Sequence, residues 1–187
     1  MNRDTLRELS VFTLLLTLGV VGRWAQPAWN FTPLAAVAMM GGYYFRSLLP
    51  AVLLPIGMLV VSDLALLGHD SLAVQASVYV AISLPWVLGR MLRSRSLGGH
   101  HTGRTAIALG CGVASSLAFF AVTNFAVWGF QRYYPHSWAG LVECYAAALP
   151  FFRTMLAGDL AYVGTLFGGL SAVEWLAERR QFSPSQA

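Results

Sequence analysis

Between residues 9 and 176 the chain passes through six apolar stretches, 9–24, 33–45, 48–67, 74–92, 105–130 and 151–176. Hydrocarbon offers no partner to a backbone N–H or C=O, so a stretch of about 20 apolar residues satisfies them internally by forming a helix. The pattern predicts an all-α fold: an integral membrane bundle of six transmembrane helices, built as one domain over residues 1–187. Composition points the same way, with 57% hydrophobic and 11% charged residues, against about 25% charged in an ordinary soluble domain. The second stretch is short for a full crossing, and the third carries Pro50 and Pro55, which remove backbone donors and bend a helix. A short helix beside a bent one leaves polar backbone where it can face a cavity.

The basic residues set an orientation. All of them are arginine, and with a cytoplasmic N-terminus Arg3, Arg7, Arg46, Arg90, Arg93, Arg95, Arg104, Arg179 and Arg180 fall inside, with Arg23, Arg132 and Arg153 outside. That asymmetry predicts a multi-pass protein of the inner (plasma) membrane with both termini cytoplasmic. No small-residue cleavage site follows the first stretch, which reads as a retained helix. The loop 90–104 (RMLRSRSLGGHHTGR) is expected to be solvated near anionic headgroups, and the adjacent His100 and His101 are poorly placed to share a metal.

Several function classes are excluded. The arginines are dispersed rather than striped among stacking aromatics, so no nucleic-acid partner is expected. Cys111 and Cys144 match no metal or redox spacing, and neither a metal site nor a cofactor is predicted. There is no G-x-S-x-G elbow, H-E-x-x-H or Walker glycine loop, and no histidine at matching depth in another span to activate Ser115 or Ser116. The sequence predicts no enzyme.

Ionisable groups within spans are costly and mark candidate sites. Asp63, Arg153 and Asp159, joined by Asn124, fall in the outer half of the membrane, and no comparable set is expected in the inner half. Arg153 and Asp159 are six residues apart and point about 120° away from each other on one helix, so Arg153 to Asp63 is the better ion pair. Such a pair could tie helices together or floor an outward-facing pocket. The expected pocket is framed by Asn30, Phe31, Thr32, Asp63, His69, Asn124, Trp128, Tyr145, Phe151, Arg153 and Asp159. The outer segment 131–150 (QRYYPHSWAGLVECYAAALP) serves either as an interfacial anchor or as a lid. Ala106, Gly110, Ala114 and Ala118, with Gly164 and Gly168, form small-residue patterns that suit close packing inside the bundle or docking of another subunit.

The stretch 33–67, with Gly41-Gly42, aromatics, a tight turn, a proline-bearing helix and Ser62-Asp63, resembles the second and third helices of the substrate-binding S components of energy-coupling factor (ECF) vitamin transporters. NFTPLAAVA (30–38), TNFAVWG (123–129) and CYAAALPFFR (144–153) are also similar to a group of small bacterial membrane proteins near those S components. The resemblance implies capture of a vitamin-like small molecule at the outer face, followed by toppling of the subunit when a transmembrane partner and two ATPase subunits engage it. Gly19 and Gly22 stand in the first stretch where S components often carry A-x-x-x-A, which leaves open both docking to an ECF module and a solitary carrier like the cobalamin-specific members. Cobalamin suits the roomy aromatic outer loop, although the fourth stretch has no cysteine to ligate cobalt. The alternative is a non-transport structural or assembly subunit, in the lipid bilayer, whose polar cluster only stabilises the bundle.

Overall fold

The computed structural model describes residues 2–65, 71–95 and 101–181. His69, the 68–71 turn expected around it and His100 therefore lie wholly or partly outside the described residues. Every regular element among those described is helical: α1 (Arg3–Trp24), α2 (Leu34–Tyr44), α3 (Leu48–Asp63), α4 (Leu72–Ala81), α5 (Ser83–Arg95), α6 (His101–Phe130) and α7 (Trp138–Gln181). Segments α4 and α5 run on as one rod over Leu72–Ser94. They break at Ile82 because Pro85 has no N–H to give the carbonyl of Ala81. Four rods are long and apolar enough to cross a membrane: α1, α4–α5, α6 and α7. The apolar helices α2 and α3 are shorter.

The short α2 is the hub. Residues 35–42 are all buried, as expected of a helix apolar on every side, and it contacts α1, α3, α5, α6 and α7. Its seam with α5 is the tightest. A Cβ on Gly42 would lie 2.1 Å from the carbonyl oxygen of Trp86, and one on Gly89 would lie 2.0 Å from that of Met39. Only glycine at both positions lets the two backbones touch. Around this seam Phe45, Leu54, Met58 and Phe167 are fully enclosed, and Phe12 packs edge-on against Phe45 at 6.0 Å between ring centres.

Three sequence expectations are corrected. The segment 131–150 is not a loop throughout, since α7 starts at Trp138 and continues through Pro150 as a 44-residue helix. Proline removes one backbone hydrogen bond, whereas this part of α7 is held along α6: Tyr145 Oη donates to the Ala121 carbonyl at 2.6 Å, and Phe120 packs edge-on against Tyr145 and tilted against Phe152. Arg104 is not a solvated loop residue; it is buried in α6. Its guanidinium donates to Tyr43 Oη at 2.9 Å, Ser171 Oγ at 3.0 Å and the Glu174 carboxylate at 2.6 Å. The half expected to lack a polar set thus has one, joining α2, α6 and α7. The small-residue stripe of α6 divides too: Ala106, Gly110 and Ala114 are exposed, while on α7 a Cβ at Gly164 would rest 3.7 Å from Leu109 of α6.

Candidate functional site

At the end of the bundle opposite Arg104, the helices part around a cavity of about 490 Å³. Its apolar wall is Leu34 and Ala35 of α2, Val74, Val78, Ala81, Ile82 and Pro85 from the broken α4–α5 rod, Phe119 of α6 and Met155 of α7. Polar groups enter from Arg23, Gln26, Asn30, Thr32, Asp63, Ser115, Thr123 and Asp159. A mostly apolar concavity with a few convergent polar groups is the general form of a small-molecule site, and 300–1,000 Å³ is the usual range.

The connection from α1 to α2 forms one side. Asn30 adopts φ 65°, a left-handed conformation that asparagine tolerates better than most residues, and its N–H donates to the Gln26 side-chain oxygen at 2.9 Å. Trp29 stands 76% exposed at the cavity rim. The following backbone leans on α7 where Gly158 leaves room: a Cβ there would lie 3.1 Å from Phe31 Cα and 3.2 Å from the Thr32 nitrogen. The Phe31 ring turns from the cavity to pack on Tyr162 at 5.7 Å.

Among the described residues, two carboxylates reach the cavity in different states of satisfaction. Asp63, at the end of α3, forms an ion pair with Arg23 of α1. The same guanidinium donates to Ser62 Oγ, Trp24 Nε1 donates to the Ser62 carbonyl at 3.2 Å, and Gln75 and Tyr79 of α4 donate to Asp63 at 3.5 and 3.3 Å. This knot ties α1, α3 and α4 together. Asp159, in mid α7, is 4% exposed and accepts a 2.6 Å hydrogen bond from Ser116 Oγ of α6. No described residue forms an ion pair with it.

Of the residues expected from sequence, Asn30, Thr32, Asp63 and Asp159 line the cavity. His69 is outside the described residues, and the other expected residues do not line the cavity. Asp63 pairs with Arg23 rather than Arg153, because Arg23 closes the neighbouring helix end whereas Arg153 is exposed on α7. Asn124 donates back along α6 to the Phe120 carbonyl at 2.8 Å, while the bonds from Trp128 to the Pro135 carbonyl at 3.0 Å and from Tyr145 to that of Ala121 hold the α6–α7 hairpin. Phe151 is 48% exposed. Arg23 and Ser116 are not among the residues expected from sequence, although Arg23 stands within an apolar stretch, as Asp63 does. No group of three or more potential metal-ligating His, Cys, Asp or Glu side chains occurs among the described residues.

An all-helical bundle of membrane-crossing character, with a polar-floored cavity at one end, is the class that the fold and site define. The chain belongs to DUF6580, a family of unknown function whose sequence profile matches residues 3–183. No curated protein and no solved structure matches it.

Proposed function

We propose that this is a membrane substrate-binding and uptake protein that captures a vitamin-like small molecule at the outer face, in the manner of an ECF S component. The observation that carries the reading is the cavity beside Asp159, a concavity of about 490 Å³ where a helix bundle built only for stability would be close-packed. Chain direction brings the start of α1, the α2–α3 turn, the end of α5, the start of α6 and the end of α7 to the bundle end opposite the cavity. Nine of the twelve arginines belong to those segments. By the positive-inside rule this distribution supports a cytoplasmic Arg104 end and an outward-facing cavity, and the reading takes six spans with both termini cytoplasmic. The site holds no nucleotide motif, so energy for uptake comes from ECF partner subunits or from a gradient. A cavity of this size suits a ligand of a few hundred daltons, and a corrinoid would protrude past Trp29.

A second reading has its own observation. Arg23 already donates to Ser62 and Asp63 already accepts from Gln75 and Tyr79, as in a purely structural pin. Labelling of Thr123→Cys, in a background with Cys111 and Cys144 changed to alanine, separates the two. A membrane-impermeant maleimide is expected to modify it in right-side-out vesicles and not in inverted ones. Modification only in inverted vesicles, or in neither, would rule out an outward-facing pocket.

A further inference from the structure

We infer that the cavity ligand carries a cationic amine and that Asp159 is the group that receives it. The inference rests on the small-molecule reading above and adds the chemical class of the ligand. Among the described residues, three ionisable side chains line the cavity, Arg23, Asp63 and Asp159, and the first two neutralise each other in the ion pair. Asp159 is left with one hydroxyl donor. A carboxylate removed from water is costly unless a cation and further hydrogen bonds compensate it. No described side chain provides that cation, and the space beside Asp159 is the cavity itself. A ligand group entering there meets an acceptor oxygen with no described cation opposite it.

The surroundings choose among cations. A hard metal ion takes six or more oxygen ligands, and the described residues offer no cluster of that kind. An ammonium or amidinium asks for less. It donates two or three hydrogen bonds, which Asp159 and the Ser115 hydroxyl elsewhere in the lining can accept, and it brings an organic body for the wall of Val78, Ile82, Phe119 and Met155. The Phe119 ring adds an aromatic face that suits a positive charge. The ligand is therefore an amphiphile: a positively charged nitrogen on α7, and an apolar or aromatic body towards the α4–α5 break.

Three probes of one length and shape test this on the full chain in detergent: 3-phenylpropylamine, 3-phenylpropan-1-ol and 3-phenylpropanoate. Affinities are read by equilibrium dialysis and by ligand-induced thermal stabilisation. The amine is expected to bind about tenfold or more tightly than the alcohol, as a charge-assisted contact exceeds a neutral one, with the carboxylate weakest. In Asp159→Asn the amine should fall to the level of the alcohol while the alcohol is unchanged. If that variant does not purify, the wild-type order of the three probes decides. Equal binding of all three, or a preference for the carboxylate, overturns the cation assignment and leaves the pocket standing. No binding of any probe at millimolar concentration overturns both.

Discussion

The Ser116 hydroxyl lies 2.6 Å from Oδ2 of Asp159 and 3.1 Å from the carbonyl oxygen of Gly112, so a single hydroxyl proton stands between two acceptors. The contact joins α6 to α7 at the cavity floor, yet supplies Asp159 with less than a buried carboxylate requires. Groups kept in this condition serve function at the expense of stability. Asp159→Asn retains an oxygen for Ser116 and removes the ionisable group. We expect its unfolding free energy in detergent to equal or exceed that of the wild type, by up to about 1 kcal/mol, when followed by circular dichroism on heating.

Asp63 should behave in the opposite way. Arg23→Ala strands a carboxylate held by an ion pair, and the expected cost is about 3 kcal/mol. Because Arg23 and Asp63 share one interaction, the double variant with Asp63→Ala should lose clearly less than the sum of the two single losses. Additive losses in the same thermal assay would show that the pair does not couple α1 to α3.

The α2–α5 seam predicts a contrast among glycines. Alanine at Gly42 or Gly89 drives a Cβ into a backbone carbonyl, which cannot yield as a flexible side chain would, and each should cost more than about 2 kcal/mol and reduce folded yield. Gly110 and Gly169 have nothing within 4 Å of the same position. Alanine there should be neutral or stabilising by up to about 1 kcal/mol, from helix propensity. Size-exclusion profiles and melting curves of the four variants check both halves.

At the opposite end, Arg104 reaches Tyr43, Ser171 and Glu174 at once. Lysine has the charge without the planar fork, so Arg104→Lys should cost about 2 kcal/mol although the charge is conserved. A melting curve identical to the wild type would show that charge alone suffices there.

Much of the helix content could be read from the sequence because the period of apolar residues and the lipid solvent dictate it. The short α2, the tight turn after it and the proline-bearing α3 follow directly from residues 33–67. Asp63 and Asp159 stood out as carboxylates in apolar runs. Their partners did not, since which arginine meets which aspartate depends on how the helices are ordered around α2, and sequence spacing carries no such information. Arg153 has a suitable depth in the sequence but is exposed; Arg23 sits at the very end of its stretch, where sequence alone does not separate a span residue from a loop residue. Counting Arg104 as a loop residue, similarly, hid a buried cluster. The continuity of α7 past Pro150 rests on contacts with Phe120 and Ala121 of α6 that no local signal announces.

The central claim is that the cavity beside Asp159 holds a small molecule. Native mass spectrometry of the full chain, incubated with the small-molecule fraction of a cell lysate and released from detergent, tests it most directly against Thr123→Trp, which fills the cavity from α6. The account predicts a small-molecule adduct on the wild type that the variant lacks, with unchanged helical content. A wild type without adduct, or the same adduct on both proteins, would contradict it.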